Sequence, residues 1–253
     1  MCEIFGLSAK KPVSINAWLT ELYSHSAKFP NGWGLAVLDG NEVNIEKEPV
    51  QAIASTYLKN RLSEPIMTRT AIAHIRHAVP ESMQYCNCHP FTGKDESGRR
   101  WTMAHNGAIF EFEPLEPYKE LQQGITDTER ILMYLVDCMD QAEAKAGRKL
   151  DSEERFYMLD EMFCSMSEGN RLNMLIFDGE YLYAHTNKRD DLFYRQTDDF
   201  TVVATKPLDD QVWLPVPFTR LIVFKDGKTV FTGTDHGKEF IETEEHLRIL
   251  GFR

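Results

Sequence analysis

Gly34-Leu35-Ala36-Val37-Leu38 is an apolar run, Glu42-Val43-Asn44-Ile45-Glu46 alternates polar and apolar residues, and Asp39-Gly40-Asn41 lies between them. This stretch reads as a β-hairpin, because Gly and Asn tolerate the positive φ that a tight turn demands. The same arrangement recurs twice. Residues 171–177 and 181–185 are joined through Asp178-Gly179, and residues 221–225 and 229–231 through Asp226-Gly227. Further strands are expected at 2–7, 70–77, 101–105 and 201–205. Strands that come as hairpins make antiparallel sheets, not a βαβ alternation.

Helical periodicity appears in four places. Ile15, Trp18, Leu19, Leu22 and Tyr23 mark one apolar face, and Val50, Ile53, Leu58 and Leu62 a second. A third helix follows Thr126-Asp127-Thr128-Glu129, which has the form of a capping box, and turns Ile131, Leu135, Cys138 and Met139 inward. A fourth starts near Asp151 and buries Phe156, Leu159, Phe163 and Met166. The helices fall in two pairs, each after a block of strands. Two stacked antiparallel sheets with helices outside satisfy this order, giving an α+β fold of the four-layer αββα type. No linker-like or repetitive stretch divides the chain, so residues 1–253 read as one domain.

The bulk properties narrow the function. A net charge of −11 argues against nucleic-acid and anionic-membrane partners, both of which need a positive field. Arg99-Arg100 reads as a solvated loop pair. No run reaches the roughly 18 apolar residues of a membrane span, and the N-terminus lacks the pattern of a secretory signal. Five cysteines (Cys2, Cys86, Cys88, Cys138, Cys164) are too sparse for a disulfide framework, so the expected home is a reducing cytoplasm. Cys86-x-Cys88-His89 is a dense set of metal-ligand types, but a closed zinc site usually shows a second ligand pair, and none follows at recognisable spacing. No metal is expected.

Four segments carry chemistry. Cys2 follows Met1, and removal of that methionine leaves a thiol and a free α-amine on one residue, a nucleophile carrying its own base. In Ala73-His74-Ile75-Arg76-His77-Ala78, strand parity sets His74 and Arg76 on one face and His77 on the other. A buried arginine needs a partner, either a protein carboxylate or a substrate carboxylate held by its planar fork. His105-Asn106-Gly107 ends a strand at a tight turn, and an Asn amide beside a Gly N–H is also a pair of donors suited to an oxyanion. Asp127 opens the third helix, where an acidic residue suits the helix dipole and a carboxylate can also receive an ammonium.

Taken in order, Cys2-Glu3-Ile4-Phe5-Gly6, Asn31-Gly32-Trp33-Gly34, His74-Ile75-Arg76, His89-Pro90-Phe91, His105-Asn106-Gly107 and Thr126-Asp127-Thr128-Glu129 resemble the class-II glutamine amidotransferase family. Leu172-Asn173-Met174-Leu175 and Val203-Ala204-Thr205-Lys206-Pro207-Leu208 extend the resemblance to its stand-alone bacterial branch. The resemblance implies the N-terminal nucleophile hydrolase fold, which is an αββα sandwich. It implies that Cys2 attacks a γ-glutamyl amide, that Asn106 and Gly107 hold the oxyanion, and that Arg76 and Asp127 bind the α-carboxylate and α-ammonium. A γ-glutamyl thioester would form and be hydrolysed, without cofactor. Relatives carry Asp where this chain has Asn31, which is given no catalytic role. Trp33 and Gly34 are expected to shape the wall beside Cys2, with His77 a further wall residue or a core histidine. Three readings stay open: ammonia supply to a separate synthase subunit, hydrolysis of another γ-glutamyl amide, and a non-catalytic γ-glutamyl binding module. A homodimer is the default expectation for such an enzyme.

Overall fold

The computed structural model describes residues 2–78 and 82–250. Within it, the opening hairpin is β2 (Trp33–Asp39) and β3 (Glu42–Glu48), paired from Asp39↔Glu42 out to Trp33↔Glu48, with Gly40 at φ 56° in the turn. The other strands are β1 (Glu3–Ser14), β4 (Met67–Ile75), β5 (Phe91–Lys94), β6 (Arg100–His105), β7 (Met174–Phe177), β8 (Leu182–Thr186), β9 (Phe193–Gln196), β10 (Phe200–Ala204), β11 (Leu214–Pro215), β12 (Arg220–Lys225) and β13 (Lys228–Thr232). The α-helices are α1 (Asn16–Ser24), α2 (Thr56–Ser63), α3 (Asp127–Ala146), α4 (Ser152–Met166) and α5 (Glu244–Ile249).

The described strands form a seven-stranded sheet, in the order β11-β9-β10-β1-β4-β2-β3, and a six-stranded sheet, in the order β13-β12-β8-β7-β6-β5. Their pairings are antiparallel. The two-residue period of each strand then sorts side chains into layers. Ile4, Ile72, Ala104, Leu175, Leu182 and Ile222 meet between the sheets. Their neighbours Phe5, Leu7, Ala71, Ala73 and Ile75 face outward against Leu19 and Leu22 of α1. On the far side Trp101, Met103, Ile176, Tyr183 and Val223 pack against Ile131 and Leu135 of α3 and Leu159 and Phe163 of α4. This is the four-layer αββα sandwich expected from the hairpins and the paired helices.

Several local expectations are corrected. The helix read from Val50 to Leu62 is interrupted: a 3-10 turn at Ala52–Ala54 comes first, and Ser55 then caps α2 by accepting the Leu58 N–H at 2.9 Å. Val50 and Ile53 consequently stay exposed. At α3, Thr126 accepts the Glu129 N–H at 3.4 Å, but the Glu129 carboxylate reaches past the cap to the Gln123 and Gly124 N–H groups. The reciprocal capping box belongs to α4, between Asp151 and Glu154. Cys138 is half-buried, whereas Ile131, Leu135 and Met139 are fully inward. β5, β9, β11 and α5 had no signal: the first three are short, and α5 buries no residue of its own.

Candidate active site

Cys2 stands at the very start of β1, where Glu3 pairs with Ile75 at the end of β4. That register sets the Cys2 thiol beside the backbone just beyond β4. The His77 N–H donates to Cys2 Sγ at 3.3 Å, and the thiol faces the His77 carbonyl at 3.6 Å. The segment is held from its other side by the turn before β2. The Asn31 N–H donates to the Arg76 carbonyl (3.1 Å), the Arg76 N–H to the Gly32 carbonyl (2.8 Å), and the Ala78 N–H to Asn31 Oδ1 (3.0 Å). Asn31 thus fixes the strip of backbone that contacts the thiol, a structural task that its sequence position did not reveal.

The second wall comes from the end of β6. The Asn106 N–H donates to the Asn173 carbonyl at 2.8 Å, and Ala108 and Arg171 exchange backbone hydrogen bonds at 3.0 Å each. Gly107 lies between these anchors. A Cβ there would collide with the Arg171 carbonyl and His105 Nε2, so only glycine permits the close approach. The Asn106 amide nitrogen is buried and has no hydrogen-bond partner among the described residues. Such a donor is normally satisfied, so its orphan state marks a place where an acceptor is expected to arrive. Beside it, Asp127 Oδ2 accepts the Ile109 N–H at 2.8 Å, which ties the first residue of α3 to the chain leaving Gly107.

Cys2, Arg76, His77, Asn106, Gly107 and Asp127 all line one cavity of about 340 Å³. Trp33 and Gly34 do not. Trp33 is wholly buried on the helix side, packed edge-on to Tyr23, with its indole N–H on Glu48 at 3.1 Å. Gly34 backs directly onto the His89 carbonyl. His77 is not the core histidine that strand parity suggested, because β4 ends at Ile75 and parity lapses there. Its half-buried ring meets Phe29 edge-on at 5.9 Å.

Charge in the cavity is arranged around the thiol. Burial pushes the Cys2 thiol up, and the His77 N–H and the Arg76 and Arg171 charges offset only part of that. Arg76 is 6% exposed and donates from Nη1 to the Ser82 carbonyl and from Nη2 to Ser82 Oγ, both at 3.0 Å. No carboxylate among the described residues pairs with it. Asp127 is raised by burial, but contact with His105, the Ile109 N–H and the Arg130 charge outweigh this and hold its carboxyl below the usual range. Arg171, which pairs with Asp191, went unrecognised in the sequence although, like Arg76, it is a buried arginine next to an apolar strand. Ser82, Phe110, Ile125, Ile249 and Leu250 also line the cavity and were not singled out in the sequence. Among the described residues, no group of three or more His, Cys, Asp or Glu is placed to hold a metal ion, and no helix is long and apolar enough to cross a membrane.

A thiol, a buried amide donor, a buried arginine and a carboxylate thus line one cavity of an N-terminal nucleophile hydrolase fold. The chain belongs to the class-II glutamine amidotransferase family, whose model matches residues 1–198. It is 28% identical to uncharacterized protein MJ1515 of Methanocaldococcus jannaschii, over 92% of this chain and 71% of that one. Among solved structures, a predicted glutamine amidotransferase from Pseudomonas aeruginosa superposes with TM-score 0.65 at 23% identity, covering 91% of this chain and all of that one. The glutamine phosphoribosylpyrophosphate amidotransferase of B. subtilis superposes with TM-score 0.62 at 19% identity, over 90% of this chain and 48% of that one.

Proposed function

We propose that the protein hydrolyses the γ-amide bond of a γ-glutamyl substrate, of which glutamine is the simplest, through a thioester on Cys2. The observation that carries this reading is the buried Asn106 amide nitrogen, without a hydrogen-bond partner among the described residues, in the same cavity as the Cys2 thiol. Arg76, which has no carboxylate partner among the described residues, takes the substrate α-carboxylate in a bidentate grip, and Asp127 takes the α-ammonium. Two opposite charges at fixed positions select an amino-acid zwitterion and orient its side-chain amide toward Cys2.

Burial keeps the Cys2 thiol protonated near neutral pH, so the attack needs a base close by. The α-amine of Cys2, with an ordinary pKa of about 8, serves once hydrolysis of the Met1–Cys2 peptide bond has freed it. Met1 itself lies outside the described residues. Sγ bonds to the amide carbon as its proton passes to the α-amine. The oxyanion is met by Asn106 Nδ2–H and the Gly107 N–H. The C–N bond then breaks, the nitrogen leaves with the proton from the α-amine, and the γ-glutamyl group stays on Sγ. Water adds to the same carbon, the S–C bond breaks, and the thiol recovers its proton. The sum is one water consumed, with one glutamate and one amine, or ammonia from glutamine, released.

The test is steady-state release of glutamate from glutamine by the purified protein and by Cys2→Ala. Release by the native chain and none by the variant is expected. Equal release by both removes Cys2 from the chemistry and with it this function.

A further inference from the structure

The cavity has two kinds of lining. Arg76, Asp127, Asn106 and Cys2 supply its charged and polar part, while Phe110, Ile125, Ile249 and Leu250 bring large apolar side chains from three separate segments. Ile125 and Ile249 are 65% and 64% exposed, although they border a concave site. Apolar side chains converging on a pocket mouth mark surface that a ligand covers.

α5 buries none of its own residues, and the contacts that hold it lie at its first turn. Thr243 and His246 cap each other reciprocally at its start, each bond 3.2 Å. The His246 ring lies on Phe110 at 4.3 Å and Phe240 at 5.0 Å, and those two rings stack at 5.8 Å. Phe110 is itself a cavity wall and its N–H is held by Asn170 Oδ1 at 2.6 Å. The ring stack therefore seats the first turn of α5 against a cavity wall, and Ile249 and Leu250 at its far end line the same cavity.

Ammonia, the leaving group of glutamine, has no use for such a wall. Resting on the hydrolase reading above, we infer that the substrate is a γ-glutamyl amide whose nitrogen carries a branched aliphatic or aromatic group. The chemistry of the head leaves one attachment point. The α-carboxylate and α-ammonium are taken by Arg76 and Asp127, so an apolar substituent enters only on the amide nitrogen. Ile249 and Ile125 are the specificity-determining residues for that substituent.

The test compares γ-glutamyl isobutylamide, γ-glutamyl methylamide and glutamine on the full chain. The two substituted amides release amines of similar basicity, so their ratio of kcat/KM reports the added carbons alone. A preference for the isobutylamide of about tenfold or more is expected from the burial of those carbons. The double variant Ile125→Ser with Ile249→Ser brings the ratio toward one; a ratio cancels any uniform loss from altered folding. If the isobutylamide is no better than the methylamide, or the preference survives in the double variant, the inference is overturned. Cys2-dependent turnover of glutamine in that case leaves the hydrolase reading standing. If Cys2 supports turnover of none of the three, both fall together.

Discussion

A primary amide nitrogen buried without an acceptor is costly, by about 1–3 kcal/mol. Asn106 carries that cost in the wall that Cys2 faces. It is offset when a developing oxyanion accepts the bond, which is why the donor contributes to rate more than to binding. Asn106→Ala is therefore expected to lower kcat about 10²–10³-fold with a smaller change in KM. Single-turnover and steady-state rates measure the split, and a variant that changes KM alone contradicts the assignment. Arg76 gives the opposite pattern. Arg76→Gln keeps hydrogen-bonding capacity toward Ser82 but loses the charge, so KM for glutamine rises while the Cys2-dependent chemistry persists. Cys2 was legible in the sequence from its place after Met1, Asn106 from an Asn-Gly turn at a strand end, Asp127 from a helix start, and Arg76 because a charged residue in an apolar stretch is costly. Arg171 was missed although it obeys the same rule, and Ile249 and Leu250 because apolar residues in a short terminal helix look like ordinary surface.

At the level of elements, the site depends on strand ends that stop at the right residue. β4 ends at Ile75, one residue before Arg76, and β6 ends at His105, one before Asn106. Gly107→Ala puts a methyl group against the Arg171 carbonyl, and the backbone must move to relieve it. A stability loss of about 1–3 kcal/mol in urea unfolding, together with lost glutamine turnover, is expected from that crowding. The β7–β8 hairpin shows how a turn is tied to the helix layer. Asp178 accepts the Glu180 and Tyr181 N–H groups, the Tyr183 hydroxyl and Arg155 of α4, whose side chain is buried beside it. Asp178→Ala leaves Arg155 without its buried partner and is expected to cost about 3–5 kcal/mol. Hairpins were readable because Gly-containing turns bracket apolar runs. β9 and β11 were not, because strands of four and two residues are too short to show an alternation.

Across the whole molecule, the two sheets bring the ends of β1, β4 and β6 together, so a site assembled from residues 2, 76, 106 and 127 needs the complete sandwich. The interior also holds neutral histidines. Burial lowers His74 and His185 to about 3, and His89 well below its ordinary value. Below about pH 6.5 the unfolded chain binds protons that these rings refuse, so stability is full above that pH and falls as pH drops toward 3. His74, whose two ring nitrogens have no partner among the described residues, is the clearest contributor. His74→Leu is expected to flatten the decline of urea midpoints between pH 7 and pH 4; an unchanged slope contradicts this. The central claim, however, is that Cys2 is a mature N-terminal nucleophile. Intact mass spectrometry after treatment with a diazoketone analogue of glutamine tests it most directly. The account predicts a chain lacking Met1, one adduct mapped to Cys2, and none on Cys2→Ala. A chain that retains Met1, or an adduct that persists in Cys2→Ala, contradicts it.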